Sequence, residues 1–284
     1  MRSYLTATTY ALIFCALGGL SGCHQATAAP VATDTHPPSA EKIIYRPKVK
    51  LTATDPDPAK LKTLLKGWAE ITQEHYDRAR KILLPLANAG YTDAQIGMAY
   101  SYMPQEIIHP KKPVPYDWKQ GIPWLKKAAD NGNARAQWML SGWYFDGFSG
   151  KVKRDYFAIQ WDKVNYYLHA AAEQGLAIAQ MELASLYEDS LGVPMNPEAL
   201  EAYEKTHKIK AYMWYILASQ RFPAYTGVGI NRKGLAESLA RKLVRRKAFT
   251  PAEIAEGKQM VKDWIRTHPD AYRVEYPPEL YPEP

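Results

Sequence analysis

The feature that most constrains the fold is a nine-residue pattern that occurs three times at a nearly constant spacing. The pattern, Ala-x-x-Gly-x-x-x-Ala-Gln, occupies residues 87–95, 129–137 and 172–180. Its glycines are 42 and 43 residues apart, and a tyrosine follows each glutamine by seven residues, at Tyr102, Tyr144 and Tyr187. Self-similarity at such a period is typical of repeat proteins. The chain is therefore expected to stack copies of one supersecondary unit.

Each position of the pattern has a physical reason. The glycine stands where the first helix of a pair must end in a left-handed backbone conformation, which residues with a Cβ atom resist. These glycines are Gly90, Gly132 and Gly175. The alanines on either side of them are small enough for two antiparallel helices to approach closely. They are Ala87, Ala129 and Ala172 before the turn, and Ala94, Ala136 and Ala179 after it.

Large residues recur four positions before an alanine near the end of each first helix. They are Leu83, Trp124, Tyr167 and Trp214. We expect these side chains to pack on the neighbouring repeat. A helix pair of this kind cannot bury its apolar face alone, so stacked pairs are predicted to form an all-α solenoid.

The repeated pattern resembles the Sel1-like repeat, a relative of the tetratricopeptide repeat. The likeness extends over residues 76–264 and implies an α-solenoid of stacked helix-turn-helix repeats across residues 58–267. The fourth unit is degenerate, because it keeps residues 210–218 but has Arg-Phe-Pro at 221–223 in place of the glycine turn. Proteins of similar families include scaffolds of exopolysaccharide or secretion machinery and lipoprotein immunity proteins that neutralise envelope toxins. The resemblance therefore implies a protein partner.

The N-terminus has the order of a secretory signal. A positive charge precedes a mostly apolar stretch over residues 4–19, and Leu-Ser-Gly-Cys follows at residues 20–23. This tetrapeptide resembles the lipobox of bacterial lipoproteins, which implies that residues 1–22 are a signal peptide and that Cys23 carries lipid. A plain signal peptide cut near Ala28 is the alternative. A membrane span is disfavoured, because the apolar run is short and is interrupted by threonines and glycines.

The predicted export limits the partners and the covalent chemistry. Cys15 lies inside the signal, so the mature chain has a single cysteine and no disulfide. His24 follows the lipid-bearing position, which in Gram-negative families of this kind implies anchoring in the outer membrane, facing the periplasm. The chain carries 36 basic and 29 acidic residues, a net charge of +7. Export excludes nucleic acid as a partner for this charge and leaves anionic lipid, acidic polysaccharide or an acidic protein surface.

Two segments outside the repeats lack helical periodicity. Residues 23–57 are rich in alanine, threonine and proline, which predicts an extended linker between the lipid and the folded body. Residues 268–284, with Tyr-Pro pairs, are predicted to form a tail. The last helix before this tail has an explicit start, with Thr250 as N-cap, Pro251 in the first turn and Glu253 completing a capping box.

Motifs of familiar catalytic and metal sites do not occur in the sequence. It contains no His-Glu-x-x-His, no Cys-x-x-Cys and no Gly-x-Ser-x-Gly. His75, His169 and His207 lie near aromatic residues in helical segments, where surface or half-buried packing is expected. Acidic pairs such as Glu188 with Asp189 are predicted to face solvent. We therefore predict no catalytic residue, no metal and no cofactor.

The sharpest local anomaly is the basic stretch at residues 232–247. On a helical wheel its leucines share one side and its central basic residues lie elsewhere. The leucines are Leu235, Leu239 and Leu243, and the basic residues are Arg241 and Arg245 on the opposite side with Lys242 on the flank. Three interpretations stay open: a solvated face of a packed helix, a docking patch for an acidic partner, and an amphipathic helix at a membrane surface.

The predicted function is that of a non-enzymatic envelope lipoprotein that grips a partner protein in the groove of its solenoid. Beyond the basic stretch, the candidate contact residues are Trp118, Trp143 and Tyr225, since most other aromatic residues are expected in the core. The short array favours one compact partner, and hence an immunity protein that neutralises an envelope toxin. The alternatives are a scaffold of exopolysaccharide or secretion machinery and an enzyme with an unrecognised site.

Overall fold

The computed structural model describes residues 58–103, 117–146, 160–189, 197–222, 231–269 and 271. These ranges hold ten α-helices and no strand. In chain order they are α1 (Pro58–Thr72), α2 (Tyr76–Asn88), α3 (Thr92–Tyr102), α4 (Trp118–Asp130), α5 (Ala134–Asp146), α6 (Trp161–Glu173), α7 (Ala177–Asp189), α8 (Pro197–Arg221), α9 (Arg232–Arg246) and α10 (Pro251–Thr267). The predicted all-α class is confirmed for this part of the chain.

Several predicted features lie outside the described residues. They are the signal peptide at 1–22, Cys23 with the linker at 23–57, Tyr225, and the tail at 268–284 apart from residues 268, 269 and 271. Among the helices that are described, none has the length and apolar character needed to cross a bilayer.

The chain divides into two compact units, with the boundary between Trp143 and Tyr144 inside α5. In the N-terminal unit, α1 packs on α2, α2 on α3, and α3 on α4. In the C-terminal unit, α6 packs on α7 and α7 on α8, and both α9 and α10 pack on α8. Serial packing of adjacent helix pairs is the arrangement expected of an all-α solenoid.

The three glycines of the pattern lie in the left-handed region, as predicted. Their φ angles are 93° at Gly90, 92° at Gly132 and 89° at Gly175. At the first turn, the Gly90 N–H donates to the Ala87 carbonyl at 3.2 Å, and the Tyr91 N–H donates to the Leu86 carbonyl at 3.1 Å. These are the two bonds of a Schellman motif, and both recur at the other two glycines.

The glutamine that closes the pattern ties the second helix of each pair back to the first. Gln95 Nε2 donates to the Ala87 carbonyl at 3.0 Å. The same bond joins Gln137 to Ala129 at 3.0 Å and Gln180 to Ala172 at 3.1 Å. All three glutamines are buried. The acceptor carbonyl lies in the last turn of a helix, where it also accepts from the glycine N–H of the turn. The glutamine side chain adds a second bond that stabilises the helix end and joins the two helices.

The small residues of the pattern permit close packing, as predicted. Ala94, Ala136 and Ala179 are fully buried. Around Leu83, three helices meet, because a Cβ added at Gly67 of α1 or at Gly97 of α3 would clash with the Leu83 side chain. Leu83 is itself fully buried in α2.

The other predicted packing residues differ in how deeply they are buried. Tyr167 is buried and stacks on Tyr144, with ring centroids 5.8 Å apart. Trp214 is buried and lies edge-on to Trp264 of α10 at 5.9 Å. Trp124 is only half-buried. The Lys127 Nζ lies 4.2 Å from the Trp124 ring centroid, so this ring is partly covered by its own helix.

The start of α10 follows the predicted capping box. The Glu253 N–H donates to Thr250 Oγ1 at 3.3 Å, and the Thr250 N–H donates to Glu253 Oε2 at 2.8 Å. Two of the donors that a helix start leaves unpaired are thereby satisfied. The Lys208 Nζ of α8 lies 2.7 Å from Glu253 Oε1, which joins this cap to the long helix beside it.

The Gly90→Ala substitution tests the conformational role of the turn. A Cβ at Gly90 would meet no atom within 4 Å, so the change adds backbone strain without a clash. We expect the free energy of unfolding, measured by urea denaturation, to fall by about 1–2 kcal/mol. Gly90→Asn is the matched control, because asparagine adopts the left-handed region more readily and should lose less. Equal losses in the two variants would contradict the conformational explanation.

Candidate functional site

An open groove of about 660 Å³ lies between α8, α9 and α10 in the C-terminal unit. Its apolar lining comes from all three helices, and its charged lining comes from α9 alone. The apolar residues are Tyr212 and Ile216 of α8, Ala240 and Val244 of α9, and Ile254 of α10, and the charged ones are Glu237, Arg241 and Arg245. Burial raises the pKa of Tyr212. The groove is an apolar cleft with a charged rim.

The face that α9 buries consists of small side chains and one of the three leucines. Leu243 is buried, whereas Leu235 and Leu239, which lie on the same side of the helical wheel, are half-buried. Ala236 and Ala240 are buried instead. α9 packs on α8, and its buried side chains are two alanines and one leucine.

Some of the basic stretch forms ion pairs inside the C-terminal unit. Arg246 pairs with Glu188 of α7, which also accepts a hydrogen bond from the Tyr215 hydroxyl at 2.8 Å. The Glu188 side chain is only 11% exposed. The prediction that it faces solvent was wrong, because a phenol and a guanidinium from two other helices replace its water shell. Lys247 Nζ lies 3.7 Å from Glu204 Oε1.

The candidate binding residues Arg241, Lys242 and Arg245 are all exposed on α9. Arg241 Nη1 lies 3.9 Å from Glu237 Oε2. Exposed ion pairs at this distance contribute little to the stability of the fold. Arg245 and Lys242 form no ion pair within the part of the chain that the structure describes. Arg241 and Arg245 line the groove, whereas Lys242 does not.

The candidate tryptophans lie elsewhere. Trp118 is the first residue of α4 and is half-buried, with Lys119 Nζ 5.7 Å from its ring centroid. Trp143 is half-buried near the end of α5. Both belong to the N-terminal unit, and neither lines the groove. Of the candidate residues, Arg241 and Arg245 lie together at the groove, and the two tryptophans belong to the other unit.

A second cluster of titratable groups joins α6, α7 and α8. The His169 Nε2 atom lies 3.2 Å from the Tyr187 hydroxyl oxygen. The ring of His207 is 4.9 Å from that of Tyr187, and Lys210 Nζ is 5.7 Å from the same ring. Burial lowers the pKa of His169 to about 4, and the charges of Lys210 and His207 contribute to the shift. Both histidines are half-buried, which confirms the packing predicted for them.

The described residues contain no group of three or more histidine, cysteine, aspartate or glutamate side chains placed to hold a metal ion. In the His169 cluster, the groups near the imidazole are a phenol, a second imidazole and an ammonium. Because Tyr187 can donate to a neutral imidazole, the arrangement satisfies a polar group inside a helix interface. The cluster contributes to the packing of α6, α7 and α8.

Comparison with known proteins gives a partial similarity. No family model matches the chain. A stretch of 106 residues, 37% of the chain, is 33% identical to part of chitin synthase regulatory factor 3 of Schizosaccharomyces pombe. The chain spans only 10% of the length of that protein. The similarity concerns a segment and does not assign the chain to a family.

The low pKa of His169 predicts that acid destabilises the fold. The imidazole is neutral when folded, but it has an ordinary pKa of about 6.5 when unfolded. Stability present above that pH is therefore lost as the pH falls from about 6.5 towards 4, because only the unfolded chain binds the proton. We expect this group to lower the free energy of unfolding by up to about 2 kcal/mol at pH 5 relative to neutral pH.

Urea denaturation of His169→Gln at the two pH values measures this contribution. The variant should lose part of the pH dependence of the wild-type chain. His75→Gln is the control, because His75 is exposed and lies beside Glu70 at the surface of the N-terminal unit. An unchanged pH dependence in His169→Gln would refute the assignment.

Proposed function

We propose that the chain is a non-enzymatic lipoprotein of the cell envelope that binds one partner protein through its array of helix pairs. The observation that carries the proposal is that the left-handed glycine turn and the glutamine bond each occur three times, so that three helix pairs are joined in the same way. Stacked helix pairs present extended surfaces, and such surfaces are suited to holding another protein.

We also propose that the units are Sel1-like repeats. The spacing of the pattern, the left-handed glycines and the buried alanines support this assignment. The departure at the fourth unit is in keeping with it, because terminal repeats of an array are commonly atypical.

The partial similarity to a chitin synthase regulatory factor is compatible with a regulatory role. The name of that protein describes a factor that regulates a synthase. By analogy, we propose that the present chain acts on another protein and performs no reaction of its own.

We propose that the partner is an envelope toxin and that the chain is an immunity protein. The two small units favour one compact partner over a large assembly, and a lipid on Cys23 would hold the protein at the outer membrane, facing the periplasm. A scaffold of exopolysaccharide or secretion machinery is the competing role. The number of partners distinguishes these two roles.

The lipid anchor is tested by replacing each cysteine in turn. We expect Cys23→Ser to abolish labelling by a clickable palmitate analogue, because the thiol is the acylated group. Cys15→Ser is the matched control and should keep the label, since Cys15 lies in the predicted signal. Retention of the label in the Cys23→Ser chain would overturn the lipoprotein proposal.

The partner-binding role is tested in cells that carry the full chain. After crosslinking and affinity purification from envelopes, we expect one dominant partner, and we expect expression of the chain to protect cells that express this partner in the periplasm. If several components of an export machinery co-purify, and deletion of the gene causes an export defect, the scaffold role is supported and the immunity role is refuted. The absence of any crosslinked partner would overturn partner binding itself.

A further inference from the structure

We infer that the groove between α8, α9 and α10 anchors an acidic segment of the partner protein. An apolar side chain of that segment enters the groove, and flanking carboxylates pair with Arg241 and Arg245. The inference rests on the proposed function, and it names the site and the chemistry that the partner must supply.

The lining of the groove fits an apolar side chain. Residues from three helices contribute apolar surface that the C-terminal unit leaves accessible, including Ile216, Val244 and Ile254. A volume of about 660 Å³ is in the range of small-molecule pockets. It can therefore hold one or a few side chains, but no folded domain. An anchor residue of a larger interface is the occupant that matches this size.

The rim of the groove supplies the charge complement. Arg241 and Arg245 are four residues apart, so their guanidinium groups lie on one face of α9. Arg245 has no ion-pair partner among the described residues, and the Arg241–Glu237 pair is 3.9 Å long and exposed. Guanidinium groups bind carboxylates through two parallel hydrogen bonds. With two arginines against one glutamate, the rim favours carboxylates on the partner.

The walls of the groove are fixed before any partner binds. Arg246 holds α9 to Glu188 of α7. Lys208 of α8 lies 2.7 Å from Glu253 of α10, and both side chains are less than one fifth exposed, at 17% and 14%. A preformed site loses little conformational entropy on binding, which favours specific recognition of a short segment.

A membrane surface fits this site less well than a protein segment does. An amphipathic helix that lies on a bilayer needs an outward apolar face. In α9 the residues Ala236, Ala240 and Leu243 are buried within the C-terminal unit. Leu235 and Leu239 are half-buried and do not line the groove. The apolar surface between α8, α9 and α10 is concave, and a protruding side chain can fill it where a flat layer of headgroups cannot.

The experiment uses a random dodecapeptide phage library selected against the full chain, purified in detergent. We expect the enriched peptides to carry an aromatic or aliphatic residue flanked by aspartate or glutamate. Their affinities are then measured by fluorescence polarisation with synthetic peptides. Replacing the apolar residue of a peptide by alanine, or its acidic residues by glutamine, should each weaken binding by about tenfold or more.

The double variant Arg241→Glu with Arg245→Glu tests the rim. We expect it to weaken binding of the acidic peptides by about tenfold or more, and to bind peptides with lysine at the acidic positions better than the wild type does. The matched control is Lys258→Glu with Lys262→Glu on α10. These two lysines are exposed, have the same four-residue spacing and do not line the groove. The control should change affinity by less than about twofold.

Three outcomes would overturn the inference. The first is the failure of any acidic, apolar peptide to be enriched, and the second is equal loss of affinity in the arginine and lysine variants. The third is binding to vesicles of phosphatidylethanolamine and phosphatidylglycerol that depends on the two arginines while peptide binding does not. Circular dichroism of both double variants confirms that they are folded, which is expected because the changes are at exposed positions.

The crosslinking experiment separates this inference from the proposed function. If the partner is captured equally well by the wild type and by the Arg241→Glu, Arg245→Glu variant, the groove assignment fails and partner binding stands. If neither chain captures a partner, partner binding fails.

Discussion

The backbone carbonyl of Ala87 accepts two hydrogen bonds, and the helix pairing of the chain depends on this arrangement. One donor is the N–H of Gly90 in the left-handed turn, and the other is the side chain of Gln95 from the next helix. The first bond ends one helix, and the second fixes where the following helix lies. The same pair of bonds recurs at Ala129 and Ala172, so a backbone N–H and a glutamine side chain join the two helices in the same way each time. Buried alanines then let the helices approach.

The groove in the C-terminal unit arises where this arrangement stops. The fourth unit lacks the glycine turn, and its first helix is part of α8, which has 25 residues. Both α9 and α10 pack on this long helix. Their ends are held by the Arg246–Glu188 and Lys208–Glu253 pairs. Because α9 and α10 both pack on α8, a cleft is left between these three helices. In a regular helix pair, the glutamine bond joins the two helices directly.

The basic residues of α9 fall into two groups, because an α-helix distributes neighbouring residues around its axis. One group forms ion pairs within the fold, and the other is exposed at the groove. Arg246 and Lys247 lie near carboxylates of α7 and α8, and these contacts hold the helix in place. Arg241 and Arg245 lie over the groove and are exposed. The net charge of the sequence does not distinguish among these four basic residues. Their positions separate those that stabilise the fold from those that are available to a partner.

The sequence by itself determined the features that depend on local backbone chemistry. The left-handed glycines, the alanines that flank them and the Thr250–Glu253 capping box are fixed by a few neighbouring residues, and the structure contains each of them. Only the tertiary structure decided which face α9 buries, that Glu188 is bound by Arg246, which is 58 residues away, and that Arg241 and Arg245 share a cleft with Tyr212 and Ile254. These features depend on which helices pack together. The burial and charge partners of a side chain are set by distant residues, which no local pattern specifies.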